Sequence, residues 1–366
     1  FIGIAIILPF FFSQGGDVMN NLVLGAAYVV MALGLNIIVG YAGLLDLGYV
    51  AFFAIGAYTM GYFGSGFWDS VGKGGEGIHV LVTEPASNLP GFHFNFLLIL
   101  VLAVIATTIA GMLIGLPTLR LRGDYIAIVT LGFGEIIGRI AINGDDLPVL
   151  GKVTAGRQGI TPVDKIDLPF TDPFRSLDLR PWYWFALAMV VLVLFVNFRL
   201  RDSRLGRAWI ALREDEVAAA SMGVPLVRTK LAAYGTGAAF GGMSGAFLAS
   251  YLNTVNADQF QFSFSIFILA MIILGGLGSI WGCVLGAIVL SAINNYFIPQ
   301  VFNDVPSKIG LDFDLTELSF GIFGFLLVIM MVLRPEGLLP ERRRQLELEE
   351  GVGAGTDEVI YESRQA

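Results

Sequence analysis

Nine apolar stretches follow one another along this chain, and each is close to the ~20 residues that cross the ~30 Å hydrocarbon core of a bilayer as a helix. Hydrophobic residues make up 55% of the 366 residues and charged residues only 14%, against about 25% charged in soluble domains. Long apolar runs satisfy their backbone in lipid as helices, so the sequence predicts an all-α polytopic membrane protein. The predicted spans are 18–39, 44–63, 95–116, 125–142, 182–198, 231–252, 262–281, 282–298 and 318–333.

A tenth, shorter apolar run opens the chain from Phe1 to Phe12. It is short for a complete span, so we expect part of a first helix to precede Phe1. The sequence thus predicts a transmembrane domain over residues 1–333 that is a bundle of about nine to ten transmembrane helices. Residues 334–366 are basic and then acidic with few aromatic residues, and we expect this tail to be disordered and cytoplasmic.

The distribution of Lys and Arg predicts which loops face the cytoplasm. Basic residues concentrate in 117–124, in 334–344 and above all in 199–230, which carries seven Lys or Arg residues. Even numbers of spans separate these segments, so all three are placed inside the cell. The loops left outside carry net charges of −2, −1 and −3, and they are 64–94, 143–181 and 299–317 respectively.

Sites for enzyme chemistry are missing from the sequence. Cys283 is the single cysteine and lies in an apolar run, while His79 and His93 share one loop without an H-E-x-x-H motif. The glycine-rich segments 72–77 and 275–282 lack the Lys-Ser/Thr of a phosphate-binding loop. We therefore predict no catalytic residue, no metal site and no cofactor bound by this chain, and no nucleic-acid partner.

A break in helical sequence lies between the spans 18–39 and 44–63. Residues 34–49 contain several glycines together with Asn36 and Asp46, and hardly any loop. One interpretation is a discontinuous helix that lines a substrate path, because irregular backbone at membrane depth needs protein or a water-filled cavity around it. The other is a tight cytoplasmic hairpin in which Asp46 caps the following helix. The sequence leaves both open.

Two charges lie inside the span 125–142. Glu135 and Arg139 are at i and i+4 in the favourable order for a helix. A structural ion pair near the outer end of the helix is the simpler interpretation, and a role for Glu135 in a substrate path is the alternative.

Small residues recur at a spacing of four within the spans, which lets helix backbones approach closely. We expect them to be packing contacts, and they are the pairs Gly111/Gly115, Gly237/Gly241, Gly241/Gly245 and Gly282/Gly286. The segment Gly275–Gly282 is expected to be a turn between two packed spans.

The basic loop 199–230 contains a run of helix formers, Trp209–Met222, followed by Gly223 and Pro225 as a stop signal. It predicts a short cytoplasmic helix with charged residues and three alanines, a surface that another protein can clasp closely. Anchoring on lipid headgroups is the alternative, although three successive acidic residues oppose contact with an anionic leaflet.

Three motifs in this order resemble one family. The segments Ala32–Tyr58, Pro117–Glu135 and Gly206–Gly223 are similar to the LivM-type permease of branched-chain amino acid ABC importers, and the resemblance covers about residues 20 to 333. It implies that the short cytoplasmic helix is the coupling element that docks into an ATPase subunit. Glu216 lies seven residues before Gly223 rather than the six of other ABC importers, with Val217 in the expected place. The implied coupling residues are Trp209, Arg213, Glu214, Asp215, Glu216, Ala219, Met222 and Gly223.

The resemblance also implies the assembly in which the chain works. Its partners would be a second permease subunit, two ATP-binding cassette subunits that bind ATP and Mg, and a solute-binding protein that docks on the outer loops. The chain itself would be a multi-pass protein of a bacterial or archaeal inner membrane with a cytoplasmic C-terminus.

We expect transport by alternating access along a mostly apolar path that suits leucine, isoleucine or valine. A urea or amide permease of the same superfamily is one alternative, and an ion-coupled secondary transporter is another. The candidate path residues are Asn36, Asp46, Tyr49, Thr130, Glu135, Asn294 and Asn295.

Overall fold

The structure is a computed structural model, and it describes most of the chain. The described residues are 2–12, 15–68, 77–82, 90–118, 121, 124–145, 152–168, 173–302, 319–334 and 336–339. Helices dominate these residues, and sheet is confined to three strands of two or three residues. The chain is therefore an all-α membrane protein, as predicted.

The helices and strands follow the predicted spans in order. The α-helices are α1 (Ile2–Ile7), α2 (Asp17–Leu35), α3 (Val50–Phe63), α4 (Phe96–Thr118), α5 (Asp124–Asn143), α6 (Arg180–Arg201), α7 (Arg204–Glu214), α8 (Glu216–Ser221), α9 (Leu226–Leu252), α10 (Phe262–Gly275), α11 (Ile280–Ala292) and α12 (Ser319–Leu333). A first π-helix, Asn36–Tyr41, continues α2, and a second, Ile293–Phe302, continues α11. The strands are β1 (Gly64–Ser65), β2 (Ile78–Val80) and β3 (Phe92–Phe94).

Five of the described helices are long and apolar enough to cross a membrane. They are α2 with the first π-helix, α4, α5, α6, and α11 with part of the second π-helix. The apolar helices α3 and α10 have only 14 residues each, which is short for a complete crossing. The count of nine to ten spans therefore stays a prediction.

Helix α9 is the centre of the bundle, where it packs against α2, α3 and α4. Its glycines allow this contact, since a Cβ at Gly237 would overlap Ile38 and one at Gly245 would overlap the Phe53 carbonyl of α3. On α4, a Cβ at Gly111 would overlap Ala238. The predicted close helix packing at the small residues is confirmed.

Two span boundaries differ from the predictions by six residues, the start of the second span and the end of the seventh. Helix α3 begins at Val50, so the first six residues of the predicted span 44–63 are not helical. The helical path ends because Gly43 adopts φ +68°, a left-handed conformation that does not continue an α-helix. Helix α10 ends at Gly275 rather than 281, and a turn with positive φ at Gly276 and Gly278 leads into α11. The predicted turn in 275–282 is confirmed.

A small three-stranded sheet, with strand order β1-β3-β2, follows α3. His93 of β3 is 1% exposed, and its Nδ1 lies 2.6 Å from Oδ2 of Asp164. This hydrogen bond raises the pKa of His93 above its ordinary value, against the opposing effect of burial. The pair therefore fastens the sheet to the loop that precedes α6.

The predictions of a disordered tail and of the third outer loop concern residues that the structure mostly does not describe. Residues 340–366 of the predicted disordered tail and 303–318 of the predicted outer loop 299–317 lie outside the described residues.

Candidate functional site

The segment after α6 forms two helices, α7 and α8, where the sequence predicted one. Asp215 interrupts them with an extended backbone, φ −154° and ψ 114°. Its carboxylate accepts hydrogen bonds from the backbone N–H groups of Val217 and Ala218, so it is the N-cap of α8. The same bonds hold the pKa of Asp215 below its usual value. The prediction of a single helix over Trp209–Met222 was wrong because a capping aspartate at this position starts a new helix.

The predicted end of this segment is confirmed. Gly223 has φ +85°, and the backbone N–H of Val224 donates to the carbonyl of Ala219. A glycine in this conformation terminates helices because it carries no Cβ to clash. The chain then turns at Pro225 into α9.

One face of α7 and α8 is fixed to α9. The Trp209 indole is fully buried, and its Nε1 donates to the Thr229 carbonyl at 2.8 Å. Glu216 at the start of α8 forms an ion pair with Lys230, with 2.7 Å between Oε1 and Nζ. Ala219 is also buried, at 4% exposure. Three of the predicted coupling residues, Trp209, Glu216 and Ala219, therefore face the helix bundle.

A second contact joins α7 to the break after α2. Arg213 lies in the last turn of α7, and its Nη1 donates to the Gly40 carbonyl of the first π-helix at 2.8 Å. Its side chain is only 18% exposed. Arg213 thus points toward the membrane domain, unlike its neighbour Glu214.

The opposite face of the segment is open. Met222 is 85% exposed and Val217 is 62% exposed, while Glu214 and Asp215 are exposed beside them. Apolar side chains with this exposure on a helix that is otherwise fixed from behind form a surface suited to another protein. We name the exposed residues Glu214, Asp215, Val217, Met222 and Gly223 the docking face.

The ion pair between Glu216 and Lys230 is expected to stabilise the folded protein. The Lys230 side chain is 3% exposed, so Glu216→Gln would leave a buried ammonium without its carboxylate. Removing one partner of a fully buried pair costs ~3–5 kcal/mol, and less here because Glu216 is 29% exposed. We expect Glu216→Gln to lower the thermal midpoint of the purified complex more than the double change Glu216→Gln/Lys230→Met, which removes both charges. A double variant that unfolds earlier than the single one would contradict this.

The break between α2 and α3 is covered by other helices. Four predicted path residues lie in it or beside it, all of them buried: Asn36, Asp46, Tyr49 and Thr130. Residues 42–49 are non-helical, and Leu47 donates its backbone N–H to the Thr130 hydroxyl of α5. Thr130 lies six residues into α5, roughly 9 Å from the start of that helix. The break is therefore covered by other helices of the protein. Its depth in the membrane, and with it the choice between a discontinuous helix and a cytoplasmic hairpin, stays a prediction.

Hydrogen bonds between side chains and backbone join the break and its flanking residues to distant helices. The N–H of Val50, the first residue of α3, donates to the Ser265 hydroxyl of α10 at 2.9 Å. Asn36 accepts a hydrogen bond from the N–H of Gly278, and the Tyr49 hydroxyl donates to the Gly237 carbonyl. These bonds explain how non-helical backbone persists among apolar helices.

Two buried polar atoms at the break have no hydrogen-bond partner within the usual distance, Asn36 Nδ2 and Asp46 Oδ2. Among the described residues, similar atoms also lie far from the break, for example Asn21 Nδ2 and Asn197 Oδ1. Oδ1 of Asp46 is committed to the N–H of Gly48, two residues on, so Asp46 does not cap α3. Unsatisfied polar groups inside a membrane domain are costly, and they mark positions of function by default.

The remaining predicted path residues lie elsewhere. Glu135 and Arg139 approach to only 4.0 Å, with side chains 48% and 75% exposed, so they face outward from α5. Asn294 and Asn295 belong to the second π-helix, where Asn294 Nδ2 donates to Asn295 Oδ1 at 2.9 Å. An apolar cavity of about 500 Å³ between α2, α6 and α11 contains none of the predicted path residues.

Sequence reasoning missed the three contacts made by Lys230, Gly40 and Ser265. Lys230, Gly40 and Ser265 carry no motif, and their partners are 14, 173 and 215 residues away in sequence. The only signal was Lys230 itself, a charged residue at the start of an otherwise apolar helix.

Comparison with known proteins decides the family. The chain matches the model of the branched-chain amino acid transport system permease component over residues 18–331. The chain belongs to this permease family. It is therefore a multi-pass membrane transport subunit rather than an enzyme.

Several proteins named as branched-chain amino acid transport permeases are similar to this chain in sequence. The high-affinity branched-chain amino acid transport system permease protein LivM of Salmonella typhimurium is 37% identical over 376 aligned residues, covering 96% of this chain and 76% of the relative. A probable LivM of Methanocaldococcus jannaschii is 28% identical over 86% of this chain and 91% of its own length. The permease protein LivH of Escherichia coli is 24% identical over 84% of this chain and 94% of its own. No solved structure matches the chain significantly.

Proposed function

We propose that this chain is the membrane-spanning subunit of an ATP-driven importer for branched-chain amino acids. The observation that carries the proposal is the construction of α7 and α8. One face is fixed to α9 through Trp209 and Glu216, and the opposite side is the exposed docking face. A segment held in this way receives a force from a bound protein and passes it to the bundle.

The docking face would receive an ATP-binding cassette subunit, which binds ATP and Mg and hydrolyses the nucleotide. Family membership supports this assignment, since the relatives are named as components of branched-chain amino acid transport systems. A solute-binding protein would deliver leucine, isoleucine or valine to the outer loops. The chain then crosses the membrane nine or ten times, with its C-terminal tail in the cytoplasm.

A second permease subunit would cover the exposed face of α5. This face carries Glu135 and Arg139 next to Ile128, which is 64% exposed. Charged side chains that face lipid are costly, so a protein or a water-filled path should lie against them. Gly132 on the same face has no atom within 4 Å of a built Cβ, which leaves room for a close neighbour.

The substrate path would run beside the break. Asp46, Tyr49 and Thr130 are each no more than 2% exposed there, in surroundings that are otherwise apolar. Alternating access then requires residues 42–49 and the helices against them to move apart. The rest of the path, at Asn294 and Asn295, would lie toward α11.

Transport in proteoliposomes tests the proposal. The chain is reconstituted with its partner permease, ATPase subunits and binding protein, and uptake of radiolabelled leucine is measured. We expect uptake that needs ATP and persists when a protonophore collapses the proton gradient. Uptake driven by an ion gradient without ATP would contradict the proposal and support a secondary transporter. Uptake of urea in place of leucine would contradict the substrate assignment.

A further inference from the structure

We propose that Arg213 is the positioning residue that links the docking helices to the break in the substrate path. The inference rests on the proposed function and adds the route by which movement of α7 reaches residues 42–49. Trp209 and Lys230 connect the docking helices to α9, whereas Arg213 reaches the break directly.

The guanidinium of Arg213 contacts two groups, the backbone at the end of the first π-helix and a carboxylate of the docking face. Nη1 donates to the Gly40 carbonyl at 2.8 Å, and Nη2 lies 3.5 Å from the Glu214 carboxylate. Glu214 is half exposed on the docking face. The arginine therefore lies between the surface where an ATPase would bind and the backbone where α2 ends.

The Gly40 carbonyl needs a donor from outside its helix. Carbonyls in the last turn of a helix lose their usual partners when the chain leaves the helix. Here the N–H of Ala42 donates to Ile37 and that of Leu44 donates to Ile38, so these two carbonyls are satisfied locally. The carbonyl of Gly40 is instead satisfied by Arg213.

The stem of Arg213 packs on the next glycine. A Cβ built at Gly43 would lie 2.6 Å from Cγ of Arg213 and 3.1 Å from its Cβ. On the other side, a Cβ at Gly40 would lie 2.8 Å from the N–H nitrogen of Gly278 in the turn between α10 and α11. The first π-helix thus contacts both Arg213 and that turn, so a shift of α7 would be passed to the break through Arg213.

Lysine would not replace this arginine. The planar guanidinium offers N–H groups in fixed and separate directions, which suits one carbonyl and one carboxylate at once. An ammonium on a flexible stem is a single point donor. Arg213→Lys keeps the positive charge and most of the stem, and it removes this geometry.

The test compares Arg213→Lys with Arg207→Lys in the full complex. Arg207 is an exposed arginine on the same helix, and its Nη1 donates to the Asp202 carbonyl. For each, we measure ATPase subunits retained on purification, ATP hydrolysis, and leucine imported per ATP hydrolysed. We expect Arg213→Lys to retain the ATPases and to hydrolyse ATP, while leucine imported per ATP falls by about tenfold, the scale of one lost charge-assisted hydrogen bond. Arg207→Lys should behave as wild type.

Hydrogen exchange distinguishes a linking role of Arg213 from a purely structural one, because only a linking role makes the exchange rate of residues 42–49 depend on ATP. In wild type, exchange of the peptide covering 42–49 should change between the nucleotide-free and ATP-bound complex, and Arg213→Lys should abolish that change. The inference is overturned if Arg213→Lys keeps the wild-type ratio of leucine to ATP, or keeps the ATP-dependent exchange. Loss of ATPase binding in Arg213→Lys alone also overturns it, because the residue would then act in docking. If wild type itself retains no ATPase, the proposed function fails, and this inference fails with it.

Discussion

Gly56→Leu is expected to leave almost no folded chain in the membrane. A Cβ at Gly56 would overlap three backbone atoms of Gly242, so α3 and α9 touch backbone to backbone at this point. Overpacking a core against movable side chains costs ~1–3 kcal/mol, and backbone atoms cannot rotate away as side chains do. Because α9 packs against three helices, separating it from α3 disturbs the centre of the bundle.

The yield of monodisperse protein after detergent extraction measures this effect. Gly324→Leu in α12 is the matched control, since a Cβ there has no atom within 4 Å. The control should give the wild-type yield, while Gly56→Leu should give little or none. A normal yield and melting temperature for Gly56→Leu would show that the contact between α3 and α9 is not as described.

Trp209→Ala is expected to release α7 and α8 from the bundle and to remove ATPase binding. The indole is fully buried and donates a hydrogen bond to the Thr229 carbonyl. Truncating a buried tryptophan to alanine costs ~3–5 kcal/mol. The indole is a side chain of α7 that hydrogen-bonds α9, whereas the spans are held by their own contacts, so this loss should be local to α7 and α8 and should leave the spans assembled.

Limited trypsin digestion reports this release, because Arg204, Arg207 and Arg213 become cleavable when α7 is mobile. Trp184→Ala is the control, since Trp184 is 37% exposed on α6 and its loss should change neither digestion nor ATPase binding. Trp209→Phe keeps most of the apolar contact and loses the donor, so it should fall between the two. Unchanged protection in Trp209→Ala would show that α7 is held by other contacts.

Several helices of the bundle could be predicted from sequence because the length of an apolar run is a local property of the chain. The span 95–116 corresponds to α4 and the span 182–198 to α6 within a few residues. The glycine pairs also predicted their contacts, since a missing side chain at helical spacing has one main structural use. The stop at Gly223 followed from the same local chemistry.

The break could be located but not described from sequence. Its geometry depends on Thr130 and Ser265, which are 83 and 215 residues away from the atoms they bind. No local pattern encodes such contacts. The division between α7 and α8 was readable in principle, because Asp215 precedes a run of helix formers as N-caps do.

Only some of the candidate path residues lie at the break, and the reason is again that their positions depend on contacts between distant parts of the chain. Sequence shows which polar residues lie within spans, but the face to which each points depends on how the helices rotate. Thr130 and Glu135 are five residues apart on α5, and one is buried at the break while the other is exposed. Their shared helix therefore gave no indication of a shared site.

Retention of ATPase subunits by the purified chain tests the central claim most directly. We would compare wild type with Met222→Asp, which places a charge on the docking face, and with Leu177→Asp in the loop before α6. The two side chains are exposed to a similar degree, 85% and 88%, so the same substitution should perturb the fold equally little. We predict that wild type and Leu177→Asp retain the ATPases and that Met222→Asp loses them. Wild type without bound ATPase, or Met222→Asp with the full amount, would contradict the assignment of α7 and α8 as the coupling element of an ATP-driven permease.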